Sequence, residues 1–366
     1  MRVLHITDRM HAASGISQLL ITYSKYLYNK DIYFDYLVES YDDAMYKLIT
    51  QLGGRIFIMP KLEVGKINKC TKFFRRFFYD TNYTIVHSHY YQVDFIVIPN
   101  AFRCGVLHYI SHSHNPKYSD YKLRSIRNWI LSIPVKFIAT DFCACSQESG
   151  DFLYGKSILR LRKKNLFILP NAIDYSRFSY NESLRKSIRE ELHVKDEIVV
   201  GIVGSLRPQK NQEFLLKVIK YIYDKYDSNI RLIMVGDGVS RSKLQGLIEK
   251  YKLVENVIIT GFTNKPWSYY NAFDCYVLPS KYEGFGLSLL EAQVNSLRCV
   301  CSSVIPDDPI VSNYVSKLSL SDSIEIWAKK IYKSAIEGRF KDKVSDNYNI
   351  VVQSNKLSSY YRKMTV

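Results

Sequence analysis

Short apolar segments alternate along the chain with longer segments whose apolar residues recur at helical spacing. Short apolar runs bounded by turn residues are typical of buried parallel strands, and the helical spacing is typical of helices that cover a sheet. The predicted strands are residues 2–7, 33–38, 55–59, 83–89, 109–115, 137–146, 198–204, 230–236, 273–278 and 299–303. Predicted helices include residues 61–79 and 324–364. This alternation predicts an α/β chain with doubly wound sheets.

The chain has 366 residues, which is enough for two domains of ordinary size. A polar, charged segment at 175–197 separates the first group of strands from a second sheet that opens at Ile198. We interpret this segment as a linker. The pattern therefore predicts two α/β domains.

Segment 278–292 carries the clearest candidate chemistry. A predicted strand runs into a loop containing Gly284 and Gly286, and a helix begins after the loop. Glycines let a ligand approach the backbone, and a helix start is a site for phosphate. Glu283 precedes the glycines and Glu291 lies in the helix, and each carboxylate can accept hydrogen bonds from the vicinal hydroxyls of a sugar or ribose. The segment suits a nucleotide-sugar; the alternative is an ordinary strand–loop–helix unit whose acids face water.

Glu283 and Glu291 lie in the sequence E-G-F-G-L-S-L-L-E-A, which resembles the signature of retaining glycosyltransferases of family 4, with the GT-B fold. Segment 169–174 (L-P-N-A-I-D) resembles one that closes the first domain in that family, with Ala172 in place of glycine. The resemblance implies two Rossmann-like domains facing each other across a cleft. Its expected parts are an acceptor-side domain (1–174), a donor domain (175–345) and a C-terminal helix packing back on the first domain (346–366).

The family holds the donor diphosphate with an arginine and a lysine in the pattern G-R-x-x-x-x-K. Gly204 and Lys210 match this pattern, whereas Ser205 stands at the arginine position and Arg207 is the nearest alternative cation. The catalytic residues implied by the resemblance are Glu283, which would orient the donor sugar, with Lys210, Arg207 and His114.

The first domain matches the family more loosely. The family usually has a Gly-Gly pair where this chain has Ser14-Gly15, so a helix entry without a ligand stays open as an alternative. The resemblance implies that the donor is bound by Gly15, Gly204, Ser205, Gly236, Gly261, Phe262, Glu283, Gly284, Phe285, Gly286, Leu287, Ser288 and Glu291.

Two His-x-His pairs end neighbouring predicted strands, at 87–89 and 112–114. Alternate strand residues share a face, so each pair could chelate a metal, but no acidic cluster completes a ligand set. We therefore expect no metal site. The resemblance instead implies an acceptor-side role for His89, His112, His114 and Asn115.

The net charge is +16 and the isoelectric point is about 9.3, which implies an anionic partner: nucleic acid, an acidic membrane surface or a phosphorylated substrate. Basic residues alternate with aromatic ones in 61–79 and 117–136, and 156–164 adds further basic residues. For 61–79, a membrane-surface helix and a helix with one face in the core are both open.

The seven cysteines form no C-x-x-C pair, and several lie in apolar strand-like runs, so buried reduced thiols are expected. Residues 1–8 lack the apolar core of a signal peptide, and no apolar run approaches the length of a spanning helix. A cytoplasmic protein is expected.

We expect a retaining transferase that moves a sugar from a nucleotide-sugar, with UDP as the expected nucleotide, to a glycan or lipid-linked acceptor in cell-surface polysaccharide synthesis. The expected partners are this donor, this acceptor and the anionic inner face of the cytoplasmic membrane, without nucleic acid, metal or cofactor. The alternatives are a non-catalytic basic protein that binds a membrane or nucleic acid, and a nicotinamide-dependent dehydrogenase, which lacks support because no strand is followed by a full G-x-G-x-x-G.

Overall fold

The computed structural model describes residues 1–12, 14–63, 65–114, 118, 122–161 and 166–365. The chain divides into two units, one of Met1–Ile173 with Asn347–Val366 and one of Asp174–Asp346. The sequence placed the corresponding boundaries at 174/175 and 345/346.

The first unit contains a parallel sheet. Its described strands are β1 (Arg2–Ile6), β2 (Arg9–Met10), β3 (Tyr33–Val38), β4 (Ser40–Tyr41), β5 (Ile56–Ile58), β6 (Ile85–Ser88), β7 (His108–Ser113), β8 (Asp141–Ala144) and β9 (Leu166–Ile168). Seven of them form one sheet in the order β5-β3-β1-β6-β7-β8-β9, and β2 pairs with β4 separately. Helices cover both faces: α1 (Gly15–Tyr28), α2 (Asp43–Gln51), α3 (Ile67–Thr81), α4 (Tyr91–Arg103), α5 (Lys122–Ile138), α6 (Gln147–Tyr154) and α7 (Lys156–Leu161).

The second unit is also built on a parallel sheet with helices packed against it. Its helices are α8 (Tyr175–Phe178), α9 (Glu182–Glu191), α10 (Gln212–Lys225), α11 (Arg241–Lys250), α12 (Pro266–Tyr269), α13 (Leu287–Val294) and α14 (Ile324–Ile336). Its strands are β10 (Ile198–Val203), β11 (Ile230–Val235), β12 (Val257–Gly261), β13 (Cys275–Leu278), β14 (Arg298–Ser302) and β15 (Val315–Leu318), in the order β12-β11-β10-β13-β14-β15.

The last helix, α15 (Ile350–Lys363), belongs to the first unit. Asn349 caps it, since its side chain accepts a hydrogen bond from Val351 N. Ile350, Leu357 and Tyr361 share one helix face and are buried in the core that α1 also covers. The predicted packing of the C-terminal helix on the first domain is confirmed, although 324–364 is two helices in different units rather than one helical segment.

The interpretation of 175–197 as a linker is wrong. This segment forms α8 and α9, which are part of the second unit. Arg185 of α9 lies 2.6 Å from a carboxylate oxygen of Asp274, and Arg189 also bonds this carboxylate. Many charges here serve ion pairs that fix the helix to the sheet, so a charged composition does not make this segment a linker.

Helix α3 is a core helix. Cys70, Phe74, Phe77 and Phe78 are buried, so its phenylalanines are not available to a membrane. Its basic residues lie on the exposed face: Lys69, Lys72, Arg75 and Arg76. Of the two interpretations of 61–79, the structure supports the one with a buried face.

Helix α5 instead exposes an apolar stripe. The stripe consists of Leu123, Ile126, Trp129, Ile130, Ile133 and Phe137. At 100° per residue these positions span about a third of the helix circumference, and Leu123 is 84% exposed. The predicted strand 137–146 begins too early, because α5 continues to Ile138. Among the described residues no helix is both long and apolar enough to cross a bilayer.

Candidate active site

Strand order reverses in the second sheet between β10 and β13. Strands β11 and β12 lie on one side of β10, and β13 to β15 lie on the other. In open parallel sheets, the loops at the carboxyl ends of strands separate at such a point and leave a crevice for a ligand. The loops after β10 and β13 contain Lys210 and Glu283, respectively.

Lys210 and Glu283 form an ion pair across this switch point. Lys210 Nζ lies 2.7 Å from Glu283 Oε1, and the side chains are only 14% and 8% exposed. Ser280 Oγ donates a second hydrogen bond to the same carboxylate oxygen, at 2.6 Å. Backbone contacts tie the two loops together, since Lys281 N donates to the Gln209 carbonyl oxygen at 2.8 Å. The charges are thus held where a ligand would enter.

Glu291 lies one helix turn into α13. Its Oε2 accepts a hydrogen bond from the Tyr270 hydroxyl at 2.5 Å. Burial raises the pKa of Glu291 to about 7, although the Tyr270 hydrogen bond and the charges of Lys210 and Arg177 oppose that shift. Glu291 is therefore a carboxyl group that titrates near neutral pH.

The start of α13 offers backbone donors. Gly286 precedes the helix in the left-handed region, with φ of 94°, and its carbonyl oxygen accepts from Leu289 N and Leu290 N. The N–H groups of Leu287 and Ser288 precede these bonds and have no acceptor within the helix itself, and the helix dipole places positive potential there. Gly284 and Phe285 lie in the loop before this turn, while Leu287 and Ser288 begin the helix.

The loops after β10 and β11 approach each other through backbone alone. Gly204 N donates to Val235 O at 2.9 Å. Gly236 has φ of 138°, and a Cβ atom added to it would lie 2.2 Å from the Gly204 carbonyl oxygen. Gly261 ends β12 and forms an isolated bridge with Gly236, and the following Phe262 is 77% exposed. These glycines allow three loops to meet at one edge of the sheet.

A second cluster lies in the first unit, at the carboxyl ends of β6 and β7. Five of the eight histidines take part: His5, His87, His89, His112 and His114. His89 Nδ1 is 2.8 Å from His114 Nε2, and His87 Nε2 is 3.1 Å from His112 Nδ1. His89, His112 and His114 line a cavity of about 190 Å³. Gly15 begins α1 in the same unit, and Asn115 lies outside the described residues.

Burial keeps these imidazoles neutral. It lowers the pKa of His114 to about 4 and that of His5 to about 3, and it holds the pKa values of His87, His89 and His112 well below the usual range. Neutral imidazole can accept a hydrogen bond or bind a metal.

The family described as glycosyl transferases group 1 matches residues 184–348, which include the ion pair, Glu291 and the glycine loops. EpsF of Bacillus subtilis (strain 168), a glycosyltransferase by provisional assignment, is 29% identical and the match covers 93% of this chain and 89% of EpsF. The chain is thus similar to the group 1 glycosyltransferases over residues 184–348 and to a curated glycosyltransferase over most of its length.

Two further comparisons concern this transferase. It is 23% identical to the UDP-Gal:α-D-GlcNAc-diphosphoundecaprenol α-1,3-galactosyltransferase of Escherichia coli, over 78% of this chain and 76% of that enzyme. Its fold is similar to that of HepE from Anabaena, solved with UDP-glucose, with a TM-score of 0.75 and 16% identity over 99% of this chain and 100% of HepE. The transferase therefore has the GT-B fold, and the predicted family resemblance is confirmed.

The transferase departs from the family pattern at Ser205, and Arg207 is the nearest alternative cation. The two residues differ in exposure. Ser205 is half-buried, and its carbonyl oxygen accepts from Gln212 Nε2 at 3.1 Å. Arg207 is exposed at the start of the 3₁₀ turn Pro208–Lys210, and its carbonyl oxygen accepts from Lys210 N. A diphosphate-binding role for Arg207 stays a prediction.

Sequence reasoning missed three side chains around the two carboxylates of the transferase. Ser280 bonds Glu283, Tyr270 bonds Glu291, and Arg177 contributes positive charge near Glu291. Ser280 could have been found by local reasoning, since it follows the end of the strand by two residues and precedes Glu283 by three. Tyr270 and Arg177 have no local signal, because they are brought to α13 only by the tertiary fold.

We expect Gly236→Ala to destabilise the second unit. The added methyl group meets the Gly204 carbonyl, and the positive φ is strained for alanine, which together cost roughly 1–3 kcal/mol. Urea unfolding measures the effect.

Gly246→Ala is the matched control. Gly246 lies in the exposed part of α11 and a Cβ atom there would have no neighbour within 4 Å. Alanine should therefore be neutral or stabilising by up to about 1 kcal/mol. Equal stability of both variants would contradict the close approach of the two loops.

Proposed function

We propose that this transferase moves a sugar, with retention of anomeric configuration, from a UDP-sugar to a glycan or lipid-linked acceptor during synthesis of a cell-surface polysaccharide. The observation that carries the proposal is the Lys210–Glu283 ion pair at the switch point of the second sheet. The enzyme from E. coli is named for a UDP-sugar donor and a diphosphoundecaprenol acceptor, and HepE was solved with UDP-glucose, which supports this choice of substrates.

The donor is proposed to exchange with the ion pair. Without substrate, Lys210 and Glu283 neutralise each other in a poorly solvated crevice. A diphosphate offers Lys210 a new anionic partner, and the sugar hydroxyls offer Glu283 hydrogen-bond donors. The first-turn N–H groups of α13 add positive potential at the phosphate. Together these groups stabilise the negative charge that develops on the leaving diphosphate as the glycosidic bond breaks.

The remaining donor contacts follow from the loop positions. Glu291 is proposed to accept hydrogen bonds from the ribose hydroxyls, and the loop with Gly261 and Phe262 to hold the base. The leaving phosphate oxygen takes the proton of the acceptor hydroxyl on the same face, which gives retention. Glu283 thus orients the sugar and forms no covalent bond.

Transfer is proposed to proceed without a divalent metal at the diphosphate. Among the described residues, the groups of three or more His, Cys, Asp or Glu side chains close enough to share an ion belong to the first unit, whereas Lys210 belongs to the second. Lys210 and the α13 N-terminus supply the positive charge instead.

The acceptor is proposed to enter the first unit beside His89, His112 and His114, whose cavity is also lined by polar and aromatic residues that include three tyrosines. A lipid-linked acceptor is reached at the inner face of the cytoplasmic membrane. The exposed stripe of α5 and the exposed basic residues of α3 give the first unit both apolar and cationic surface for peripheral binding.

The proposed reaction is tested by nucleotide release from a panel of UDP-sugars and GDP-sugars, with a GlcNAc-diphosphate lipid as acceptor and chelator present. Glu283→Gln and Glu291→Gln should each lower kcat/KM about ten- to a hundredfold, since each loses charge-assisted hydrogen bonds worth roughly 1.5–3 kcal/mol. The kcat/KM of the wild type should fall below pH 7 as Glu291 becomes protonated, and this dependence should flatten in Glu291→Gln.

Glu249→Gln is the control, because Glu249 is exposed on α11 and lies outside the site. Wild-type rates in folded Glu283→Gln and Glu291→Gln would reject the donor site, and absence of release with every UDP-sugar would reject the choice of nucleotide.

Lys210→Ala should lose most activity, and Arg207→Ala should lose a comparable amount if Arg207 shares the diphosphate. Lys281→Ala, an exposed lysine of the neighbouring loop, should retain activity. Because Lys210→Ala leaves Glu283 without its cation, thermal unfolding of Lys210→Ala with and without Glu283→Gln separates lost stability from lost catalysis. A fully active Arg207→Ala enzyme would mean that, of these two residues, Lys210 alone binds the diphosphate.

Membrane binding is tested by co-sedimentation with liposomes. Each lysine or arginine near an anionic surface contributes about 1 kcal/mol, so binding should require anionic lipid and weaken as salt rises. Ile126→Ser with Ile130→Ser should remove the apolar part of binding. Val239→Ser with Val254→Ser, at exposed apolar positions of the second unit, should have no effect.

The basic face of α3 is tested in the same assay by replacing Lys69, Lys72, Arg75 and Arg76 with Ser. Loss of binding in this variant alone would assign attachment to α3 charge rather than α5. Equal binding of the wild type to neutral vesicles, or none to acidic vesicles at low salt, would reject the membrane part of the proposal and leave the transfer reaction untouched.

A further inference from the structure

We propose that His89, His112 and His114 form a binding site in the first unit for a single transition-metal dication of the Zn²⁺ type. One ring nitrogen of each lies within 4.8 Å of one from each of the others. From the sequence we expected no metal site, because no acidic cluster completes a ligand set with either pair of histidines. In the folded chain the two pairs come from adjacent strands, so a third imidazole replaces the missing acid.

The hydrogen bonds that His89 and His112 make to other histidines suit a role as metal ligands. His89 Nε2 is 3.0 Å from His5 Nδ1, and His112 Nδ1 is 3.1 Å from His87 Nε2. His87 Nδ1 is in turn 2.6 Å from the Tyr361 hydroxyl. Metal-binding histidines usually donate their second ring N–H to an acceptor that fixes ring orientation, most often a carboxylate, a carbonyl or water. Here a neutral imidazole nitrogen can serve as that acceptor. The network permits this tautomer at both His89 and His112.

The other ring nitrogens of His89 and His112 are then available to the ion. His112 is 2% exposed, and its Nε2 is buried without a hydrogen-bond partner among the described residues. An unpartnered buried nitrogen is unfavourable unless something occupies the space beside it. His89 Nδ1 and His114 Nε2 are 2.8 Å apart, and tetrahedral coordination with Zn–N bonds of about 2.0–2.1 Å needs nitrogens about 3.3 Å apart. Only a small separation of the two rings is required.

The cavity gives the ion access and room for a further ligand. Its volume is about 190 Å³, and Asp8 also lines it. Three neutral imidazoles with an open position match the ligand set of Zn²⁺ and of related borderline dications, whereas Mg²⁺ and Ca²⁺ prefer oxygen ligands.

The test uses untagged full-length protein, freed of metal by chelator and gel filtration. Calorimetric titration with Zn²⁺ should give one equivalent at micromolar concentration, and Co²⁺ should give the intense visible absorption of a four- or five-coordinate site. Zn²⁺ should also raise the Tm, because it binds only the folded arrangement. Mg²⁺ should produce neither signal.

Variants distinguish ligands from positioning residues. His114→Gln, at the half-buried strand end, should lower Zn²⁺ affinity more than tenfold and abolish the Co²⁺ absorption. His5→Gln should lower affinity roughly ten- to a hundredfold while keeping the stoichiometry. His11→Gln should bind as wild type, since His11 is half-buried, lies outside the histidine cluster and bonds Ser40 instead.

No Zn²⁺ uptake by the folded wild type, or unchanged uptake by folded His114→Gln, would overturn the site. Circular dichroism of each variant establishes that it is folded. Nucleotide release by the metal-free enzyme is measured separately, so the failure of the metal site and the failure of the proposed transfer reaction can be told apart.

Discussion

The donor half of the molecule depends on one buried ion pair, between Lys210 and Glu283. Neither charge is well solvated, and removing a single member of such a pair usually costs more than the pair contributes. The pair therefore fixes two loops that the chain separates by a long stretch of sequence. Ser280 extends this coupling, because it bonds Glu283 through its hydroxyl and accepts from Ser302 Oγ through its carbonyl oxygen. The loops after β10 and β13 and the end of β14 are thus connected through Glu283 and Ser280.

A parallel sheet makes this arrangement possible. All strands present their carboxyl ends at one edge, and the change of direction at β10 and β13 separates the loops there. The loops after β10 and β11 meet through the backbone of Gly204 and Gly236, which leaves the space beside Lys210 without a bulky side chain. Close backbone packing on one side of β10 and a charged crevice on the other are two consequences of the same topology.

The sequence predicted most strands of the two large sheets, the two-domain α/β architecture and the family resemblance because these features are encoded locally, whereas it missed β9, β12 and β15. Apolar runs determine the strands, and the signature around Glu283 is continuous in the chain. The role of α9 was mistaken because Arg185 and Arg189 are paired only by tertiary contacts to Asp274. The sequence likewise could not tell which basic helix has its apolar face buried: α3 packs its phenylalanines into the core, whereas α5 exposes its stripe. The metal geometry of the histidines requires the register of β6 against β7, which composition does not reveal.

Burial acts on titratable groups at the carboxyl ends of both sheets, and in both it favours the neutral form. It raises the pKa of Glu291 to about 7 and lowers that of His114 to about 4. In the second unit, Lys210 and Glu283 neutralise each other. A poorly solvated site of this kind strengthens any interaction with an incoming charge, because little water competes for it. Desolvation strengthens the attraction between Lys210 and the diphosphate proposed for the second unit. In the first unit it keeps the imidazoles neutral, so their nitrogen lone pairs are available to the proposed cation.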